Sequence, residues 1–229
     1  MQQISLQTIR LRMSNAYLII AGNVAILVDT GSEGEQRAIE DALLKYNLSV
    51  SDLRLIIHTH GHSDHVGSTA ALVQNYRCTT ALHTADLPMV LEGKNKTLQP
   101  TRLMGKWLIP FVDKPFKPFE PNIKLDGLLS LEDFGVPINI LAVPGHTAGS
   151  IALLLPDGRA IVGDVLMGGY LGGQFLPHLP DYHYFADDLT QIHASIKKLV
   201  SAGVTTWYPG HGGPLTTKAV LKRFAKEID

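Results

Sequence analysis

The chain has few of the features that build a disulfide framework, a thiolate metal site or a membrane anchor. Cys78 is the only cysteine in 229 residues, which excludes an internal disulfide and a zinc site made of several cysteines. Its neighbours Arg77 and Thr79 include no base, so we expect a packed thiol rather than a nucleophile. No apolar run approaches the ~18–20 residues of a membrane span. The first residues also lack the basic and apolar segments of a secretion signal. We therefore expect a cytoplasmic protein with no membrane partner.

The chain also has no excess of charge of either sign. Its 20 Lys and Arg residues nearly balance 21 Asp and Glu residues, for a formal net charge of −1. No cluster of Lys and Arg provides the basic surface that nucleic-acid binding needs. A hydrophobic content of 45% and a charged content of 18% are ordinary for a globular protein. We expect one domain over residues 1–229 that acts on a small-molecule substrate, and a homo-oligomer stays open.

Short apolar segments bounded by turn residues predict more strands than helices. Two of them, 17–21 and 24–28, flank Gly22-Asn23 and predict a hairpin. Further strands are predicted at 53–57, 79–82, 138–143, 151–155, 160–162 and 205–208. Apolar residues at helical spacing predict helices at 35–46, from 189 to about Gly203, and after Thr216-Thr217. This order favours an α/β (α+β) fold with sheets inside and helices outside.

The segment from 88 to 121 departs from this pattern. It holds six of the chain's thirteen prolines, both ends counted, and an apolar island at 103–111. These features predict an insertion of short helix and loop rather than another strand. Two interpretations stay open: a surface excursion that packs its own aromatic side chains, or a lid over a functional site.

Potential metal ligands are concentrated in the eight residues His58-Thr59-His60-Gly61-His62-Ser63-Asp64-His65, directly after the predicted strand 53–57. Imidazole and carboxylate groups bind borderline divalent metals such as zinc. On an extended segment the i, i+2 spacing places His60 and His62 on one side. A turn after them would aim Asp64 and His65 at a second, nearby point. The run therefore predicts a site for two metal ions.

Four more candidate ligands each follow a predicted strand: Asp29, His146, Asp164 and His211. A single histidine or aspartate of this kind is more often a hydrogen-bonded structural residue. Taken together with the histidine-rich run, they are hard to explain as core packing, because a buried carboxylate is costly unless it is paired or binds a metal. Strand ends at one edge of a sheet lie close together, so these residues can converge.

The run from His60 to His65 has the pattern His-x-His-x-Asp-His, and here the chain resembles the metallo-β-lactamase-fold hydrolase superfamily. The four strand-end residues follow in the order of that family. The resemblance implies a four-layer αβ/βα sandwich of two mixed β-sheets, with helices on the outer faces and the site along one edge. It implies that the first metal is bound by His60, His62 and His146, the second by Asp64, His65 and His211, with Asp164 bridging both. Asp29 would support a ligand imidazole from behind, and His58 is assigned to a supporting or core role. The implied cofactors are two divalent metal ions, with Zn²⁺ favoured and Fe or Mn as alternatives.

The resemblance also implies a reaction. A metal-bridging hydroxide would cleave an ester, thioester or lactone, with Asp64 and Asp164 as the catalytic carboxylates that pass a proton. Asp164, in the region where the best-known β-lactamases have a cysteine, favours the branch that is similar to glyoxalase II and lactonases. The apolar island predicts a hydrophobic acyl group in the substrate, and the loop with Tyr170, Tyr182, His183 and Tyr184 is expected to touch it. An iron-dependent oxidoreductase on the same fold stays open, and so, more remotely, do a β-lactamase, a phosphodiesterase and a non-catalytic binding module.

Overall fold

The computed structural model describes residues 3–126 and 130–228, and two β-sheets face each other within it. The first sheet has six strands that follow one another in chain order across the sheet. They are β1 (Ile4–Arg10), β2 (Asn15–Ala21), β3 (Val24–Val28), β4 (Leu53–Ile57), β5 (Thr80–His83) and β6 (Ile123–Leu125). β2 pairs antiparallel with both β1 and β3, whereas β3, β4, β5 and β6 are parallel to one another.

The second sheet has five strands, and a separate two-stranded hairpin lies between its parts in the sequence. The sheet contains β7 (Asn139–Ala142), β8 (Ile151–Leu154) and β9 (Arg159–Gly163), and the hairpin is β10 (Met167–Tyr170) with β11 (Phe175–Asp181). The chain returns to the sheet with β12 (Thr206–Pro209) and β13 (Leu215–Thr216). The spatial order is β13-β12-β9-β8-β7.

Helices cover the outer faces and the connections. They are α1 (Gln36–Leu44), α2 (Ser63–Val66), α3 (Thr69–Asn75), α4 (Leu87–Glu92), α5 (Leu103–Val112), α6 (Leu189–Ser201) and α7 (Thr217–Ile228). None of the helices in the described ranges is both long and apolar enough to cross a membrane.

The alternation of side chains along the strands sorts the core into layers. On β2 and β3, Ile19 and Ile26 join the cluster between the two sheets, where they meet Ile151 and Ile161 of the second sheet. Their neighbours Leu18 and Leu27 join the outer cluster that contains Ile39 and Leu43 of α1. On the other side, Trp207 and Val162 pack with residues of α6 and α7. The predicted sandwich of two mixed sheets with outer helices is confirmed.

Strand direction determines where the site forms. In the first sheet β3, β4 and β5 are parallel, so their carboxyl ends share an edge. In the second sheet β7 is antiparallel to β8 and β8 to β9, so β7 and β9 point the same way, and β12 is parallel to β9. The residues that follow these strands therefore meet at one edge of the sandwich.

The observed elements differ from the predicted ones mainly at their ends. The strand predicted at 138–143 is Asn139–Ala142, and the helix predicted at 35–46 is Gln36–Leu44. Thr216 Oγ1 accepts a hydrogen bond from the Ala219 amide at 3.2 Å, as expected for a residue that caps α7. The segment 88–121 contains most of α4 and all of α5, followed by extended chain, as the helix-and-loop prediction required. The strands β1, β6, β10, β11 and β13 were not predicted.

Candidate metal centre

The predicted ligands all lie just beyond the strands that end at the shared edge. His60 and His62 follow β4, and α2 then carries Asp64 and His65. The other three ligands, His146, Asp164 and His211, follow β7, β9 and β12. The structure brings all seven together in overlapping groups of three whose potential ligand atoms lie within 4.8 Å of one another.

The first group is a triad of imidazoles. His62 Nδ1 lies 2.9 Å from His146 Nε2, which lies 3.2 Å from His60 Nε2. Nitrogens that share a tetrahedral zinc at ~2.0–2.1 Å would lie roughly 3.3 Å apart, so the spacing fits a single ion. His146 Nδ1 donates to the Phe185 carbonyl at 2.9 Å, which leaves a lone pair on Nε2. Burial lowers the pKa of His62 to about 4 and that of His146 to about 3, so both rings are neutral, as metal binding requires.

The second group joins a carboxylate to two imidazoles. Asp64 Oδ2 lies 3.3 Å from His211 Nε2 and 3.9 Å from His65 Nε2. His211 Nδ1 donates to the Met13 carbonyl at 2.7 Å, and His65 Nδ1 donates to Asp29 at 2.8 Å. These bonds to the outer nitrogen turn both Nε2 atoms toward the centre and fix their tautomers.

Asp164 lies where the two groups meet. Its Oδ2 is 3.3 Å from His211 Nε2, 3.4 Å from His65 Nε2 and 3.5 Å from His146 Nε2. Burial alone would raise the pKa of Asp164, but the surrounding imidazoles hold it well below its usual range. A carboxylate among three imidazoles from two groups is in the position of a bridge.

Unpaired polar atoms at this point indicate what the centre holds. His65 Nε2, His211 Nε2 and Asp164 Oδ1 are buried and have no hydrogen-bond partner. An unpaired buried polar atom is costly, so three of them converging in one place call for a ligand that satisfies all three. Imidazole nitrogens and carboxylate oxygens are common ligands of divalent metal ions, and a bound metal ion would give all three atoms a partner.

Asp29 supports the centre as the resemblance implied. Its φ of 62° is in the left-handed region, which aspartate tolerates better than most residues. Its carboxylate accepts from the Thr59 amide at 2.8 Å, the Thr59 hydroxyl at 2.7 Å and His65 Nδ1. His58 lies outside the ligand groups: its Nε2 is 3.1 Å from Thr69 Oγ1, and its ring packs on Phe119.

Two further residues of the site are absent from the predicted ligand set, and one of them, His183, was predicted only as part of a loop that touches the substrate. His183 Nε2 lies 3.4 Å from Asp164 Oδ2, and His183 forms a fourth group with His146 and Asp164. It follows β11, a strand that the sequence did not predict. Asp86 is fully buried beneath the centre and follows β5 after one turn of 3₁₀ helix. The strand-end criterion that identified Asp164 could have identified Asp86 as well.

A cavity of about 270 Å³ opens above the cluster. His62, Asp64, His183 and His211 form its polar floor. Its apolar walls include Met13, Leu98, Met104, Leu108, Val112, Met167, Leu171 and Phe185. An apolar pocket with a few convergent polar groups is the usual form of a small-molecule site.

The predicted insertion contributes one wall of this cavity through α5. At the start of the helix, Arg102 Nη1 lies 2.9 Å from Asp181 Oδ2, and the Thr101 hydroxyl donates to the His183 carbonyl at 2.6 Å. The other face of α5 is open, with Trp107 and Phe111 each 72% exposed. The helix therefore lines the site with one face and leaves large apolar side chains uncovered on the other.

Comparison with known proteins agrees with this architecture. The pattern of the metallo-β-lactamase superfamily matches residues 9–211. The probable metallo-hydrolase MJ0888 of Methanocaldococcus jannaschii is 29% identical over 204 residues, which cover 87% of each chain. A hydroxyacylglutathione hydrolase of Shewanella sp. (strain ANA-3) is 31% identical over 148 residues, covering 62% of this chain and 44% of that protein.

Solved structures show the same fold. TTHA1623, in a di-iron-bound form, has 29% sequence identity and a TM-score of 0.66, with 94% of this chain and 96% of that chain covered. The BLEG-1 B3 metallo-β-lactamase has a TM-score of 0.70 with 96% and 97% covered, and its 21% identity supports the fold alone. Since the family pattern spans most of the chain and the structure has the matching fold, the protein belongs to the metallo-β-lactamase superfamily, a family of metallo-hydrolases.

Proposed function

We propose that the protein is a dinuclear hydrolase, with zinc as the metal, that cleaves an ester, thioester or lactone whose acyl group is hydrophobic. The observation that carries this proposal is the meeting of two donor groups at one carboxylate. Asp164 Oδ2 lies within 3.5 Å of His146 Nε2 from the first group and of His65 and His211 Nε2 from the second. A site for one metal ion would not need the second group.

Bound metal ions would supply an acidified water as nucleophile and a Lewis acid for the substrate carbonyl. The chain's part is to hold the donors and to manage protons. His60, His62 and His146 would hold the first ion, Asp64, His65 and His211 the second, and Asp164 both. Asp64 is the ligand carboxylate that reaches the cavity, with 21% of its side chain exposed, so it can accept a proton from the attacking water and pass it to the leaving group.

His183 is placed to touch the substrate. It lines the cavity, its Nδ1 lies 3.2 Å from both the amide nitrogen and the carbonyl oxygen of Phe185, and its Nε2 lies 3.4 Å from Asp164 Oδ2. Burial lowers the pKa of His183 to about 3, so the ring is neutral, and we infer that its proton is on Nε2, which makes Nε2 a hydrogen-bond donor. We assign this donor to the oxygen of the scissile carbonyl, where negative charge develops.

The apolar walls of the cavity favour a hydrophobic acyl group on the substrate. Met104 and Leu108 of α5 line it together with Met167 and Leu171 of the β10–β11 hairpin. The hydroxyacylglutathione hydrolase relatives support a thioester, since that is the bond their name implies.

A second function, an iron-dependent oxidoreductase, is supported by one observation. TTHA1623 holds two irons, at 29% identity and with nearly its full length aligned. Imidazole and carboxylate donors accept iron as well as zinc. The metal present in the protein purified from its own cells separates the two functions.

The proposed function is tested by hydrolysis assays on zinc-loaded and iron-loaded protein. The substrates are acyl thioesters, aryl esters and lactones of short and long acyl chains, together with a β-lactam and a phosphodiester. We expect zinc-dependent turnover of a carbonyl substrate that improves with acyl length and is abolished by Asp64→Asn. Turnover of the phosphodiester alone, or an Asp64→Asn variant as active as the parent on every substrate, would overturn the proposal.

A further inference from the structure

Asp86 is the N-cap residue directly before α4, a position where an aspartate normally caps its own helix. Here the side chain makes no hydrogen bond with that helix. Asp188 at the start of α6 shows the usual arrangement, since its Oδ1 accepts from the amides of Thr190 and Gln191. The Asp86 carboxylate is directed elsewhere.

Its three hydrogen bonds all reach the two loops that carry the imidazole triad. Asp86 Oδ2 accepts from the Gly61 amide at 2.9 Å and from the Thr147 hydroxyl at 2.7 Å. Asp86 Oδ1 accepts from the Gly149 amide at 3.0 Å. Gly61 separates His60 from His62, and Thr147 directly follows His146, so each ligand of the triad lies next to a residue that Asp86 holds.

Asp86 packs closely against the backbone of both loops at two glycines. A Cβ on Gly149 would lie 2.5 Å from Asp86 Cγ, and a Cβ on Gly61 would lie 3.0 Å from Asp86 Cβ. Both distances are tighter than ordinary van der Waals contact, so the carboxylate leaves no room for a side chain at Gly149, and Asp86 Cβ together with Met89 Cε leaves none at Gly61. Asp86 has no exposed surface, and none of these three hydrogen bonds goes to a predicted ligand.

We propose that Asp86 is the positioning residue of the first metal site and sets the spacing between the His60–His62 loop and the His146 loop. This inference rests on the proposed metal centre. Asp29 orients His65 of the second group, whereas Asp86 joins the loops of the first group. Loss of Asp86 therefore weakens the first site and spares the second.

The test measures metal affinity in chains that keep a single site. His211→Ala leaves the imidazole triad intact, and His146→Ala leaves the second group intact. Asp86→Asn is placed in each background, because its NH₂ faces donors and breaks at least one of the three bonds. Zn²⁺ affinity is measured by competition with a chromophoric chelator, so the result does not depend on catalysis. Asp188→Asn is the matched control, since it changes an aspartate at the same helix position that caps its own helix.

We expect Asp86→Asn to weaken Zn²⁺ binding about 10- to 100-fold in the His211→Ala chain and less than about threefold in the His146→Ala chain. Asp188→Asn should change neither affinity. Equal weakening in both backgrounds would show a general loosening of the fold and overturn the proposal, and so would no weakening in either. If the parent binds zinc but hydrolyses nothing, the proposed function fails while this result still decides the role of Asp86.

Thr147→Val provides a second variant in case Asp86→Asn does not fold. It keeps the shape of the side chain and removes one of the three donors. We expect a loss of several-fold in Zn²⁺ affinity in the His211→Ala chain and none in the His146→Ala chain. An unchanged affinity in the His211→Ala chain would contradict the proposed role.

Discussion

At the scale of single residues, Asp164 provides the negative charge that the two donor groups share. It is buried, and its Oδ2 lies among imidazole nitrogens from both donor groups. Asp164→Asn keeps the size of the side chain and removes the charge that both ions share. We expect a loss of at least about 100-fold in metal affinity at one site or both and a comparable loss of activity. Elemental analysis and a chelator titration measure it.

Asp157→Asn is the control for that change, because Asp157 lies at a surface turn and, among the residues that the structure describes, its ion-pair partner is Arg159. It should leave metal content and turnover unchanged. Retention of two tightly bound ions by Asp164→Asn would show that the carboxylate is not a bridge.

Variants of His183 test whether this side chain contacts the substrate or binds a metal ion. We expect His183→Leu to lower kcat by about 100-fold, the effect of removing one donor to a developing oxyanion. His183→Gln, which keeps a donor near Nε2, should recover part of the loss. Metal content should stay at the parent value in both variants. Loss of a metal ion from His183→Leu would instead make His183 a ligand.

Cys78 gives a residue-scale prediction far from the site. Its Sγ donates weakly to the Leu53 and Thr79 carbonyls, and burial raises the pKa of the thiol from 9.0 to about 11. Above about pH 9 the thiol ionises in the unfolded chain but stays protonated in the folded chain. The free energy of unfolding should therefore fall as the pH rises above about 9. Iodoacetamide should therefore modify native Cys78 slowly at pH 8, and faster as the pH approaches 11 or when the chain is unfolded. Rapid modification of the native protein at pH 8 would show a reactive thiol.

At the scale of elements, helix α5 is expected to select the acyl group. Met104 and Leu108 line the cavity, whereas Trp107 of the same helix is 72% exposed and lies outside it. Met104→Ser with Leu108→Ser should lower kcat/KM for long-chain acyl substrates by about 10-fold or more and leave short-chain substrates nearly unchanged, since buried methylenes are worth about 0.8 kcal/mol each. A chain-length series of thioesters measures the difference.

Trp107→Ser is the matched variant on that helix, and it should leave the chain-length profile as it is. Equal losses for short and long substrates in the double variant would indicate a structural role for α5 without selection of the acyl group.

The elements that sequence reasoning predicted are those with strong local signals. The hairpin β2–β3 has apolar runs on both sides of Gly22-Asn23, and α6 has a regular apolar period and a capping aspartate. The hairpin β10–β11 escaped prediction because its strands contain glycines, prolines and exposed leucines rather than an apolar alternation. His183 lies beyond that hairpin and was missed as a neighbour of Asp164 for the same reason.

The candidate ligands could be named from sequence because each follows a strong apolar strand and the motif sets their spacing. The supporting contacts could not. The carbonyls of Met13 and Phe185 orient His211 and His146, and a backbone carbonyl carries no residue signature. The hydrogen-bond partners of Asp86 lie on two loops that are distant in sequence and meet only when the sheets pack.

At the scale of the whole molecule, the metal centre joins the two sheets at their shared edge. The ligands of the first sheet come from the β4–α3 connection, and those of the second follow β7, β9 and β12. Bound ions would therefore connect both halves of the sandwich, and binding to the folded state alone stabilises it. Chelation should lower the melting temperature by about 6–12 °C, from roughly 3 kcal/mol of linked binding energy and 2–4 °C per kcal/mol at this size.

Differential scanning calorimetry of the loaded and chelated protein measures this effect, and the Cys78→Ser variant should show the same difference. An unchanged melting temperature after complete metal removal would show that bound metal does not stabilise the folded state.

The most direct measurement for the central claim is a titration of metal-free protein with Zn²⁺, followed together by elemental analysis of the dialysed product and by turnover of a carbonyl substrate. We predict two ions per chain. His146→Ala and His211→Ala should each lose one of them, and Asp164→Asn should bind both more weakly. Saturation at one ion per chain, with full activity and no effect of His211→Ala, would contradict a dinuclear site.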